Sequence, residues 1–157
     1  MEFPERVYTT EEVRMAKELI EKGYRHRLRV KGSPEFRRKV KEALRLVKTA
    51  KYYDFLRTYI KQIVEIDGFS QLRESEAAVW LNNYAVADPV EAASYVIQKA
   101  QQMKDYVEGK LYYDKGEMNA VEKRIKFLEA LENRAKSQAV KDRCGEILKE
   151  WAESKYF

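Results

Sequence analysis

Apolar positions near the start of the chain recur at helical spacing. Val13, Ala16 and Ile20 form a narrow stripe that opens behind Thr9 and closes at Gly23. Thr9 and Glu12 have the spacing of a capping box, Tyr8 and Val13 stand where a hydrophobic staple would pack, and Gly23 suits a left-handed stop. A first helix is therefore predicted from Thr9. The period then changes to two. Tyr24, His26, Leu28 and Val30 alternate with Arg25, Arg27, Arg29 and Lys31, the signature of a half-buried strand. One face of that strand is apolar with a histidine in it, and the other is wholly cationic. Ser33 as a cap and Pro34 at the first helical position restart a helix. Phe36, Val40, Ala43, Leu44 and Val47 share one side of it, while Arg37, Lys41, Arg45 and Lys48, flanked by Arg38, share the other.

Farther along, Phe55, Leu56, Tyr59, Ile60, Ile63 and Ile66 fit a helix that stops at Gly68. The β-branched end of that segment, residues 62–67, is equally readable as a short strand. Ser70 can cap a helix over residues 71–86. There Leu72, Val79 and Val86 recur at seven-residue spacing and Ala77, Ala78, Leu81, Tyr84 and Ala85 cover the other sides, the pattern of a helix buried in the middle of a fold. Asp88-Pro89-Val90-Glu91 is the strongest helix start, with Val90, Ala93, Ile97, Ala100, Met103 and Val107 on one side and Gly109 as the stop. Residues 110–117 form a connector with a turn at Asp114-Lys115-Gly116. Leu111–Tyr113, or the segment 5–8, would pair with the strand at 24–31. Two stripes, Val121/Ile125/Leu128/Leu131 and Val140/Cys144/Ile147/Trp151, break phase near Ser137 and predict a C-terminal αα-hairpin.

The expected fold is mainly α: a single-domain helical bundle, residues 1–157, of six or seven helices with at most one short two-stranded β ribbon. Residues 1–116 form the core and residues 117–157 the hairpin. A chain of 157 residues is long enough for a core without covalent staples. The charged fraction of 36% exceeds the roughly 25% of an average domain and gives a thermophile-like composition. No apolar run is long enough to span a membrane, and the polar, acidic opening does not read as a signal peptide, so no membrane association and a cytoplasmic location are expected. The single cysteine, Cys144, permits no internal disulfide and agrees with a reducing compartment.

One histidine and one cysteine leave no set for a zinc site, and no metal or other cofactor is expected. Nucleophile elbows and phosphate-binding glycine loops are missing as motifs. His26 reads as a hydrogen-bonded core histidine, and Cys144 as a packed thiol. Lys31-Gly32-Ser33, running from strand into helix, could offer backbone N–H groups to an anion, although an ordinary Ser-Pro helix start explains the same residues. Glu76 and Asn83 interrupt the apolar stripe of the helix expected over 71–86. A carboxylate there could be a general base of raised pKa, making the two residues candidates for a catalytic site. A pair satisfied by Arg57, Arg73 or a tyrosine hydroxyl is the plainer account.

Charge changes the picture most. Residues 24–51 hold eleven Lys/Arg against Glu35 and Glu42, a local net charge of +9 in a chain of +5, so the remainder is acidic. Arg25, Arg27, Arg29, Lys31, Arg37, Arg38, Lys41, Arg45 and Lys48, with Tyr24, Tyr52 and Tyr53 at the edges, form a candidate surface for nucleic acid or another polyanion. The plain alternative is a solvated face of a highly charged protein. A non-catalytic binding protein is the leading expectation. A subunit that meets a protein partner or a second copy through the C-terminal hairpin (Trp151, Tyr156, Phe157) comes next, and an enzyme using Glu76 and Asn83 comes last.

Overall fold

The structure, a computed structural model, describes residues 2–110 and 117–154. Three helix starts are built by the side chains that signalled them. Helix α1, Thr10–Glu21, is closed by a reciprocal box in which Glu12 N–H donates to Thr9 Oγ1 at 3.1 Å and Thr9 N–H to the Glu12 carboxylate at 2.9 Å. The Ser33 hydroxyl accepts Phe36 N–H ahead of α2, Pro34–Thr49. Asp88 accepts the N–H groups of Val90 and Glu91 ahead of a long helix over Pro89–Val107. Tyr8, expected to staple against Val13, stays largely exposed beneath Arg6.

The β structure differs from the expected ribbon. Helix α3, Tyr53–Tyr59, stops where Ile60 turns extended, and Gln62–Glu65 is strand β2. The helix expected over 71–86 does not exist. In its place stand β3 (Gln71–Arg73), a single 3₁₀ turn (Glu74–Glu76) and β4 (Ala78–Leu81). With β1, Arg29–Lys31, they form a four-stranded sheet in the order β1-β2-β4-β3, parallel except for the last pair. The seven-residue spacing of Leu72 and Val79 is not two helical turns but a cross-strand pair. Ala77 makes the corner in the left-handed conformation, φ 50°, which few side chains adopt readily. The partner of β1 is β2. Residues 111–113 lie outside the described residues, and the 5–8 segment instead reaches Ser75, whose carbonyl accepts Val7 N–H at 2.8 Å.

The register sorts the sheet into rows. Val30, Ile63, Val79 and Leu72 align across all four strands, buried except at the β1 end, and join the core with Phe36 and Val40 of α2 and Val90 of the helix after β4. That helix, α4 (Pro89–Val107), takes the central place expected of residues 71–86 and packs against α2, α3 and α5. Helices α5 (Glu117–Arg134) and α6 (Gln138–Ser154) pack on each other as the expected hairpin, and Ser137 Oγ accepts Val140 N–H at the start of the second. Six α-helices among the described residues keep the fold mainly α.

Candidate functional site

The alternation read in residues 25–31 appears as alternating burial. Arg25, Arg27, Arg29 and Lys31 are exposed, His26 is buried, and Leu28 and Val30 are half-buried. Because Val30 faces the helices, Arg29 and Lys31 leave the sheet from its other face. The register gives them neighbours. One outer row is Arg29, Gln62, Ala78 and Arg73; the next is Lys31, Val64, Trp80 and Gln71. Neither row contains an acid. Arg73 lies over the Trp80 ring at 4.3 Å, and solvent reaches both.

The helix cations occupy a different side. Arg37, Arg38, Lys41, Arg45 and Lys48 are exposed on α2, which covers the inner face of the sheet. Arg38 is held by Glu35 at 2.8 Å and Glu42 at 3.4 Å, whereas Arg37, Lys41 and Arg45 have no ion pair among the described residues. The strand and helix rows are linked around the β1 edge. His26 N–H donates to the Arg57 carbonyl, the Arg57 guanidinium lies 5.8 Å from the Tyr53 ring centroid, and Lys48 lies 4.6 Å from it. Asp54, on Arg57 at 2.8 Å, is the acid beside that link.

The tyrosines at the edges of the basic stretch are engaged. Tyr24 stacks on Phe3 and meets the His26 ring edge-on, Tyr52 packs against Phe55 and Phe127, and Tyr53 carries Lys48. The free rings are Phe69, 89% exposed, and Tyr84, 92% exposed. The sequence hid them, because the helical reading left Phe69 between the Gly68 stop and the Ser70 cap and put Tyr84 on a buried helix. The signal was the turn-forming neighbours Asp67-Gly68 and Asn82-Asn83.

The α2 N-terminus is already occupied by an anion of the protein's own. Glu65 Oε1 accepts Ser33 N–H at 2.8 Å, and Glu65 Oε2 accepts from Asn83 Nδ2 at 2.9 Å. The Ser33 N–H, then Asn83, hold its carboxyl below the ordinary range. Asn83 is thus a clamp on Glu65. Glu76 is half-exposed, 3.6 Å from Arg73 in an ion pair. It stands before β4 and Asn83 after it, so about 20 Å of extended chain separates the two catalytic candidates. Strand formation removed the shared helix face that had joined them.

His26 is buried inside Phe3 and Tyr24, and its Nε2 has no hydrogen-bond partner among the described residues, contrary to the expected bonded histidine. Burial, with Lys61 nearby, lowers its pKa to about 4. Cys144 is buried and its thiol is pushed up to about 11 by burial, the condition of a packed residue. A cleft of about 580 Å³ near the start of α4 contains Tyr84, Asp88, Glu91, Arg124 and Arg143. Its charges pair among themselves: Arg143 with Asp88 at 2.7 Å, and Arg124 with Glu91 at 3.1 Å. Among the described residues no group of three or more His, Cys, Asp or Glu could hold a metal ion, and no helix is long and apolar enough to cross a membrane. Comparison with protein families, with curated proteins and with solved structures finds no match for this chain.

Proposed function

We propose that the protein binds nucleic acid through the outer face of its sheet, with the exposed cations of residues 25–31, of which Arg29–Lys31 is strand β1, as the first phosphate contact and the α2 row as a second. The observation that carries this reading is a pair of cross-strand rows, neither containing an acid, that aligns Arg29 and Lys31 with Arg73 on the far strand. Glu76 pairs Arg73 from outside the rows, and Arg25 and Arg27 extend them. Cations such as Arg25, Arg27, Arg29 and Lys31, all exposed, raise the local potential and attract a polyanion, releasing its condensed counterions. The link through Arg57, Tyr53 and Lys48 lets a flexible backbone pass from the sheet face round the β1 edge to Arg45, Lys41 and Arg37. Contacts of this kind hold phosphates and do not read bases.

The other readings have less behind them. Trp151, offered as a contact for a partner, is half-buried and carries the Arg124 guanidinium at 5.2 Å from its ring centroid. Glu76 and Asn83 stand at opposite ends of β4, Glu76 paired with Arg73 and Asn83 with Glu65.

The test is fluorescence anisotropy with DNA and RNA oligomers over a salt series, for the wild type, Arg27→Glu/Arg29→Glu and Arg37→Glu/Lys41→Glu. Neutralising about five phosphates gives a log K against log salt slope near −3.5 for single strands. The strand double reversal should weaken binding at least tenfold for all sequences alike and flatten the slope by about one to two. The helix reversal should have the smaller effect. Binding that is weak and indifferent to both salt and charge reversal would overturn the proposal.

A further inference from the structure

Resting on that reading, we infer that the nucleic acid is taken single-stranded, with unpaired bases stacked on the Arg73–Trp80 pair and on the exposed rings of Phe69 and Tyr84. Phosphate contacts alone cannot favour a single strand, since a duplex presents the same phosphates at higher charge density. Only groups that need an open base face can do so, and the sheet supplies them beside the cations.

Trp80 lies in the same cross-strand row as Lys31, separated from it by Val64, so about 10 Å spans the two. Phe69 enters β3 two residues before Gln71, which ends that row. Tyr84 follows β4 directly after Asn83. The two loops are pinned to each other: Asn82 Nδ2 donates to the Gly68 carbonyl at 3.0 Å, and Asn82 N–H to Ser70 Oγ at 3.0 Å. Asn83 ties the same loop to Glu65 and so to the β1–α2 turn. Two rings, 89% and 92% exposed, are thus carried on a braced rim. Folding buries aromatic surface wherever it can, and Tyr24, Tyr52 and Tyr53 are all covered in this way. Rings left in water on a fixed support, at the end of the sheet that carries the Lys31–Trp80 row, match the platform on which successive bases stack irrespective of sequence.

Glu65 stays ionised, because Ser33 N–H and Asn83 favour its charged form, and it keeps one negative charge at this end of the sheet. Asp67 adds another. It is exposed two residues before Phe69 and repels a phosphate passing there.

Binding is measured with oligo(dT) and oligo(rU) of about twelve nucleotides and with a duplex of equal length, for wild type, Phe69→Ala/Tyr84→Ala and Asp67→Asn. A Trp151→Phe background leaves Trp80 as the only tryptophan, whose fluorescence reports stacking directly. The expected result has four parts: single strands bind at least tenfold tighter than duplex, the double alanine variant removes that preference without changing the salt slope, Asp67→Asn tightens binding severalfold, and oligo(dT) quenches Trp80. If charge reversal weakens binding but the alanine variant does not and Trp80 is not quenched, the single-strand inference falls while the phosphate reading stands. If charge reversal has no effect, both fall. Loss of a concentration-dependent dimer in the alanine variant, with single-strand affinity unchanged, would assign the two rings to self-association and overturn the inference.

Discussion

The Glu65 carboxylate closes the N-terminus of α2 by accepting Ser33 N–H at 2.8 Å, although the two residues are 32 apart in sequence. This bond couples the end of β2 to the turn that leaves β1. It also puts a negative group where a helix dipole favours one. Gly32 is what permits the approach. A Cβ built there would lie 2.6 Å from Phe36 Cδ2 and 2.8 Å from Glu65 Cβ. Phe36 is fully buried and cannot yield. Gly32→Ala should therefore cost about 1–3 kcal/mol in denaturant unfolding. Glu65→Gln should lower the melting temperature only slightly, and that difference should vanish in acid, because a carboxyl held low contributes stability above its unfolded pKa and loses it as pH falls.

Val79 lies in β4 between β2 and β3, fully buried. An aspartate there would be an unpaired charge in the row that holds the sheet to the helices. Val79→Asp should cost more than about 3 kcal/mol or prevent folding, as read by circular dichroism and urea titration. Near-wild-type melting would remove β4 from the centre of the sheet.

His26 makes the stability depend on pH. Its folded pKa of about 4 lies below the unfolded value near 6.5, so between those limits the unfolded chain binds more protons. Stability should fall on acidification from pH 6.5 to 4, by on the order of 2–3 kcal/mol, and level off below that. His26→Phe keeps an aromatic ring between Phe3 and Tyr24 and should flatten this part of the profile. Urea midpoints at half-unit pH intervals for both proteins would check it.

Arg124 donates from Nε to Ser94 at 2.9 Å, from Nη1 to Gln98 at 2.7 Å and from Nη2 to Glu91 at 3.1 Å, fastening α5 to α4. Replacing it with methionine keeps most of the volume but strands three polar groups, and should cost about 2–4 kcal/mol. Hydrogen exchange should report the loss first in α5.

The helices were legible because their signals are local. Thr9/Glu12, Ser33/Pro34 and Asp88/Pro89/Glu91 each lie within one turn, and Gly23 and Gly109 adopt the positive φ expected of stops. Of the strands, β1 lies within the alternation read over 24–31 and β2 within the segment readable as helix or strand over 62–67. The other two, β3 and β4, read as helix, because strands of three or four residues are too short for alternation to outweigh a competing helical spacing. Leu72, Val79 and Val86 satisfied a helix by coincidence, and only pairing with Ile63 reveals the sheet. The exposed cations could be read from Arg25 to Lys48. Their alignment with Arg73 and Trp80 could not, since it exists only once β1, β2, β4 and β3 lie side by side.

Strand β1 is the margin of the sheet, with backbone groups on its outer side that no other strand among the described residues pairs. Such a margin invites a second chain to add itself, and proteins blunt it with short strands and charge. Here the strand is only Arg29–Lys31, and a second copy laid along it would bring guanidinium and ammonium groups of both chains together. The sheet therefore guards its own edge by repulsion, and that guard is as strong as its charges are bare. Screening them with salt, or replacing Arg27 and Arg29 by neutral residues, weakens the protection against fibril-like association in the same step.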